Sequence, residues 1–126
     1  MKFAFSKEVD YVPEWNGNDK LPAKEQIKCK LTVLNMASLM SLVDAFTAAG
    51  ITGEAQTQDT AAMKPVLDQM GPLLPKHVQI TGLYDEGGKA ISMEEIVEYP
   101  VFLNLCVELL MKLSEISSPS DEDTKN

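Results

Sequence analysis

The chain contains no arginine: its eleven basic residues are all lysines, set against nineteen acids for a net charge of −8. Nucleic-acid binding leans on dense positive charge and on the bidentate contacts of arginine. That class of partner is therefore excluded. There is one histidine, one tryptophan and two cysteines, too few and too scattered for the paired Cys and His spacing of a zinc site. No apolar run approaches the roughly 20 residues of a membrane-spanning helix. The opening MKFAFSKEVDY has too short an apolar stretch for a signal peptide, so the expected compartment is the cytoplasm. With no export signal, Cys29 and Cys106 are expected to be reduced and buried in apolar-patterned segments.

Catalytic signatures are also missing. The Gly-rich phosphate loops and the strand-to-helix serine elbow do not occur. A Cys106–His77 dyad is disfavoured because Cys106 falls on the most apolar face of its helix. DEGGKAISMEE has the acids and glycines of a calcium loop but not their spacing: with Gly87 as the turn glycine, Tyr84 and Met93 fall on ligand positions. No catalytic residue, metal or cofactor is expected. A small enzyme built on an undistinguished carboxylate pair stays open as the least favoured class.

What is present is a chain of 126 residues with 44% hydrophobic and 24% charged residues, enough for one globular core. The acidity is uneven. Residues 1–60 carry six lysines against eight acids, a net of −2, and residues 61–126 carry five against eleven, a net of −6. The final SSPSDEDTKN has no apolar anchor. Residues 1–116 are thus expected to form a single domain, and 117–126 a disordered acidic tail that is dispensable for folding.

The patterning predicts an α+β fold, predominantly helical, with a small N-terminal antiparallel strand pair and a short second hairpin. Residues 2–5 and 27–34 read as the paired strands. In the second, Ile27, Cys29, Leu31 and Val33 alternate with Lys28, Lys30, Thr32 and Leu34. A loop punctuated by Pro13, Gly17 and Pro22 joins them. Asn35 caps a first helix with an apolar stripe of Met36, Leu39, Met40, Val43 and Phe46, closed by Gly50. A second helix over 59–70 carries Met63, Val66, Leu67 and Met70, with Pro65 implying a kink or a later start. Gly71, Pro72 and Pro75 leave room for one short helical turn. Val78 and Ile80 open the second hairpin, DEGG turns it, and Ala90 and Ile91 return. Ser92 and Glu95 make a capping box for a short helix ending near Tyr99. Pro100 then starts, or kinks, a helix running to about Ile116.

That last helix is apolar over about 240° of its circumference, against the roughly 100° of an ordinary surface helix. Its polar stripe is Asn104, Glu108, Lys112 and Glu115, with Glu108 and Lys112 spaced for an i,i+4 pair. Two readings stay open. In one, the helix is central to its own domain. In the other, one flank meets another chain, and that flank is Leu103, Val107 and Met111, where Ser114 marks the side nearer water. Leu105, on the opposite flank, is expected in the core. Seven methionines favour an adaptable apolar surface.

The stretch YVPEWNGNDKLPAKEQIKCKLTVL, with its PEWNGN, LP and EQI, resembles the N-terminal segment of tail assembly chaperone-like proteins of long-tailed bacteriophages and prophages. HVQITGLYDEGGKAISMEEIVEYPVFLNL is similar to the second half of such proteins. The resemblance implies a non-enzymatic role in the bacterial host cytoplasm. The partners it implies are the tape-measure protein, whose apolar helices such chaperones keep soluble, and a tail-tube subunit; a homo-oligomer stays open. Trp15 is then either a lid on the core or part of a partner-binding loop. The alternative from another class is a structural tail-completion component that remains in the virion.

Overall fold

The computed structural model describes residues 8–50 and 60–118. The fold is α+β, as the patterning predicts. Its sheet has three strands, β1 (Glu8–Tyr11), β2 (Lys28–Thr32) and β3 (Val78–Thr81), all antiparallel with β2 in the middle. Among the described residues, five α-helices accompany it: α1 (Met36–Ala48), α2 (Thr60–Met70), α3 (Leu73–His77), α4 (Met93–Ile96) and α5 (Leu103–Ser117).

Period-two alternation decides the sheet. Val9 pairs with Leu31, which pairs with Val78, and Tyr11 pairs with Cys29, which pairs with Ile80. Paired residues share a face, so these six side chains line the inner side. Glu8, Asp10, Lys28, Lys30, Thr32, Gln79 and Thr81 line the outer one. The strand expected at residues 2–5 lies outside the described residues; the partner of β2 is Glu8–Tyr11 instead. The expected second hairpin is reduced. Val78–Thr81 joins the N-terminal pair as its third strand, and the returning chain contributes one bridge, Tyr84 to Ala90. Only Lys89, Ala90 and Ile91 separate the turn from the Ser92 cap, too short a segment to pair along β3. Gly82, at φ +91°, passes so close to Gln26 that a Cβ would sit 2.5 Å from its carbonyl oxygen. Only glycine meets both demands.

The helices form where their signals stand. Asn35 Oδ1 accepts from the Ser38 amide at 2.8 Å, Gly50 follows α1 at φ +75°, and Ser92 Oγ accepts from the Glu95 amide at 3.4 Å. Pro65 lies inside α2, while Met63, Val66 and Met70 reach the core. A 3-10 turn, Pro100–Phe102, leads into α5. Leu105, Cys106, Leu109, Leu110 and Leu113 are sealed in a single core shared with the inner sheet face and with α1, α2, α3 and α4. The burial of α1 departs from its expected stripe: Leu39, Leu42, Ala45 and Phe46 face inward, leaving Met36, Met40 and Val43 outside. Leu39, Leu42 and Phe46 also repeat at helical spacing, so two overlapping stripes compete, and packing against α2 and α5 settles which is buried. The expected domain boundary shifts too. Ser117 belongs to α5, and its hydroxyl accepts the Leu34 amide at 2.8 Å. Residues 119–126 lie outside the described part.

One buried amide holds the long β1–β2 connection. Asn18, 2% exposed, donates to the carbonyls of Pro13 and Ile27 at 2.8 and 3.0 Å and accepts the Ile27 amide at 2.6 Å. Asn18→Ala strands three buried backbone groups and is expected to lower stability by about 2–4 kcal/mol. Denaturant titration checks this; a loss under about 0.5 kcal/mol would mean that the loop is held by something else.

Candidate partner-binding surface

Trp15 begins a 3-10 turn, Trp15–Lys20, in which Asn16 and Gly17 take φ of 52° and 73°. Those left-handed residues reverse the chain at once, and the Gly17 amide closes the turn on the Glu14 carbonyl at 3.0 Å. The turn sets the half-buried Trp15 ring against Phe102, with centroids 5.6 Å apart and planes tilted by 52°. That tilted approach is favourable for two aromatic quadrupoles. Trp15 therefore both covers the core and borders the 3-10 turn ahead of α5. On that turn Val101 is 71% exposed and Tyr99, just before it, 57% exposed.

The polar stripe of α5 anchors this arrangement. Glu108 accepts the Tyr11 hydroxyl at 2.5 Å and the Glu14 amide at 2.7 Å, tying the residues on either side of Pro13 to the helix. Lys112 does not pair with Glu108 as the spacing suggests. It bonds Glu115 at 3.2 Å and lies 5.3 Å from the centre of the Tyr11 ring. With two donors already on it, Glu108 belongs to the loop rather than to the helix surface. Burial, then the Glu108 carboxylate, pushes the Tyr11 hydroxyl well above its ordinary pKa.

The flank expected nearer water is packed. Val107 is 7% exposed and buried in the core, and Leu103 and Met111 are half-buried against it. Ser114 does not mark an open side: it too is half-buried, and its carbonyl accepts the amide and hydroxyl of Ser118. Of the four residues singled out from sequence, Trp15 alone sits at the exposed aromatic surface. Tyr99 precedes the helical register and belongs to no stripe, while periodicity puts Val101 on the Leu105 side of the apolar arc; the 3-10 turn Pro100–Phe102 takes it off that face. The usable signal was Pro100 with an aromatic and a β-branched residue on either side of it.

Other groups are self-satisfied. His77 Nδ1 lies 3.1 Å from Thr32 Oγ1 in a shallow depression with Glu8, Lys30 and Lys76. Burial, and then the Lys76 charge, lower its pKa. Among the described residues no three His, Cys, Asp or Glu side chains converge as a metal site, and no helix is long and apolar enough to cross a membrane. Comparison with protein-family models, curated proteins and solved structures finds no match to the chain.

Both cysteines are free and buried. Burial pushes the Cys29 thiol up to about 12, with Glu108 adding to it, and burial alone does the same for Cys106. Both should resist thiol reagents in the native protein and react once it is denatured. Because the folded thiols hold their protons above the pH at which unfolded thiols lose them, stability should fall as pH rises from about 9 toward 12. Rapid native labelling, or a melting temperature that rises over that range, would contradict the burial.

Proposed function

We propose that the protein is a non-enzymatic assembly chaperone that holds apolar segments of a helical partner, as the resemblance to phage tail assembly chaperone-like proteins implies. On this reading the partner is the tape-measure protein and the compartment is the host cytoplasm. The observation that carries it is the exposure of Tyr99 and Val101 beside the half-buried Phe102–Trp15 pair. Tryptophan and tyrosine are the residue types over-represented at binding hot spots. The surface is also pre-organised, since Asn18 and Glu108 fix the Trp15 loop by five hydrogen bonds before any partner arrives. The chain's acidity and lack of arginine suit a protein partner rather than nucleic acid.

Two substitutions separate binding from folding. Val101→Glu places a charge at a position 71% exposed and is expected to change stability by no more than about 0.5 kcal/mol. It should abolish co-purification with a helical tape-measure fragment. Val107→Glu buries an unpaired charge and is expected to cost about 3–5 kcal/mol. A Val101→Glu protein that folds and still binds the fragment would remove this surface from the function.

A further inference from the structure

The outward face of α1 is the least charged stretch of this acidic protein. Met36 is 71% exposed, Met40 50% and Val43 37%, and they stand at i, i+4 and i+7 on one side of the helix. Ala37, Ser41 and Ala48 beside them are small and exposed, which lets a second backbone approach closely. Asp44 is the only charged residue among the thirteen of α1.

We propose that this face pairs with the same face of a second copy, as an antiparallel helix pair about a two-fold axis at Met40. Three observations make a second copy a fitting occupant. First, two molecules of net charge −8 repel, and a contact through α1 brings only one carboxylate from each. Second, the stripe is self-complementary in that orientation: Met40 meets Met40 of the partner subunit, and Met36 meets the partner subunit's Val43. Third, the same register sets Asp44 beside the first turn of the other helix. There the Met36 and Ala37 amides have no acceptor within their own helix, and no acidic residue of its own occupies that turn. A carboxylate is favoured at such a helix end.

Thirteen residues make a helix about 20 Å long, so the contact falls at the small end of specific interfaces, below about 1,200 Å² in total. The dimer is therefore weak and reversible. It shares no residue with the aromatic surface assigned to the helical partner, so either can fail without the other.

Sedimentation equilibrium of the full chain from about 1 to 300 μM tests it, a range suited to a contact of this size. The wild-type protein should shift reversibly from monomer to dimer. Met40→Glu and Met40→Lys each place like charges on the axis and should weaken self-association by about tenfold or more. An equimolar mixture of the two variants should restore it. Met36→Lys, at the most exposed position of the stripe, should strengthen the dimer by pairing with Asp44 of the partner subunit. Melting curves confirm folding of each variant, and Val101→Glu should dimerise like the wild type. The proposal is overturned by a wild type that stays monomeric throughout, by a dimer that survives both Met40 substitutions, or by a mixture that fails to restore it. If a Met40 variant does not fold, Met36→Lys decides alone: unchanged or weakened dimerisation overturns the proposal.

Discussion

Everything else in the fold follows from the need to cover α5. Six of its fifteen residues are buried, and they point to more than one side of the helix, so no single neighbour can shield it. The helices α1, α2 and α3 and both 3-10 turns pack on it. The inner face of the sheet closes the same core. A helix wrapped this far leaves little room for its polar stripe, and Glu108 shows the consequence. A carboxylate at the edge of the core needs donors, and the Tyr11 hydroxyl and Glu14 amide supply them. Such charge-assisted bonds contribute about 1.5–3 kcal/mol each. The same contact that satisfies the helix thus fixes the N-terminal loop, some 94 residues away in sequence.

The features that a short window determines were legible in the sequence. The Asn35 and Ser92 caps, the Gly50 stop, the alternation of β2 and the breaks at Gly71 and Pro100 each rest on a few adjacent residues. Which of two competing faces is buried depends on neighbours that no window contains. Met36, Met40 and Val43 make as good a stripe as Leu39, Leu42 and Phe46. Only packing against α2 and α5 chooses between them. Val107 failed for the same reason. A single serine does not make a wet flank: Ser114 is itself half-buried on a helix packed from several sides. Spacing alone pairs Glu108 with Lys112, whereas its partners, Tyr11 and Glu14, lie at the other end of the chain.

The site divides along the same line. Trp15 could be found because tryptophan is rare here and sits in a loop, and chemistry on loops is a general expectation. Tyr99 could not, since no periodicity covers it, and periodicity assigns Val101 to the apolar arc of the last helix rather than to an exposed 3-10 turn. What draws them together is the Trp15–Phe102 contact, which is tertiary. Asn18 is the clearest case of a residue with two readings. As the second asparagine of NGN it looks like turn chemistry, yet its side chain is buried and bonded to backbone at both ends of the loop. The turn belongs to Asn16 and Gly17, and the clamp to Asn18.

A protein with apolar surface exposed on α1 and around Tyr99 and Val101 must avoid indiscriminate association through it. Net charge is one protection: at −8, like charges oppose encounters between copies except where a face carries almost none. Rigidity is another. The aromatic surface is held by Asn18 and Glu108, and the α1 stripe stands on a capped helix packed against α5. The backbone beneath each is thus fixed, and under the proposed function that lowers the ordering cost of binding. The lysines do not undo this. Lys28 and Lys30 project from the outer sheet face beside Glu8 and Asp10, where Lys30 lies 4.0 Å from Glu8. Positive charge is thereby matched within the sheet, away from the apolar side chains exposed on α1 and at Tyr99 and Val101.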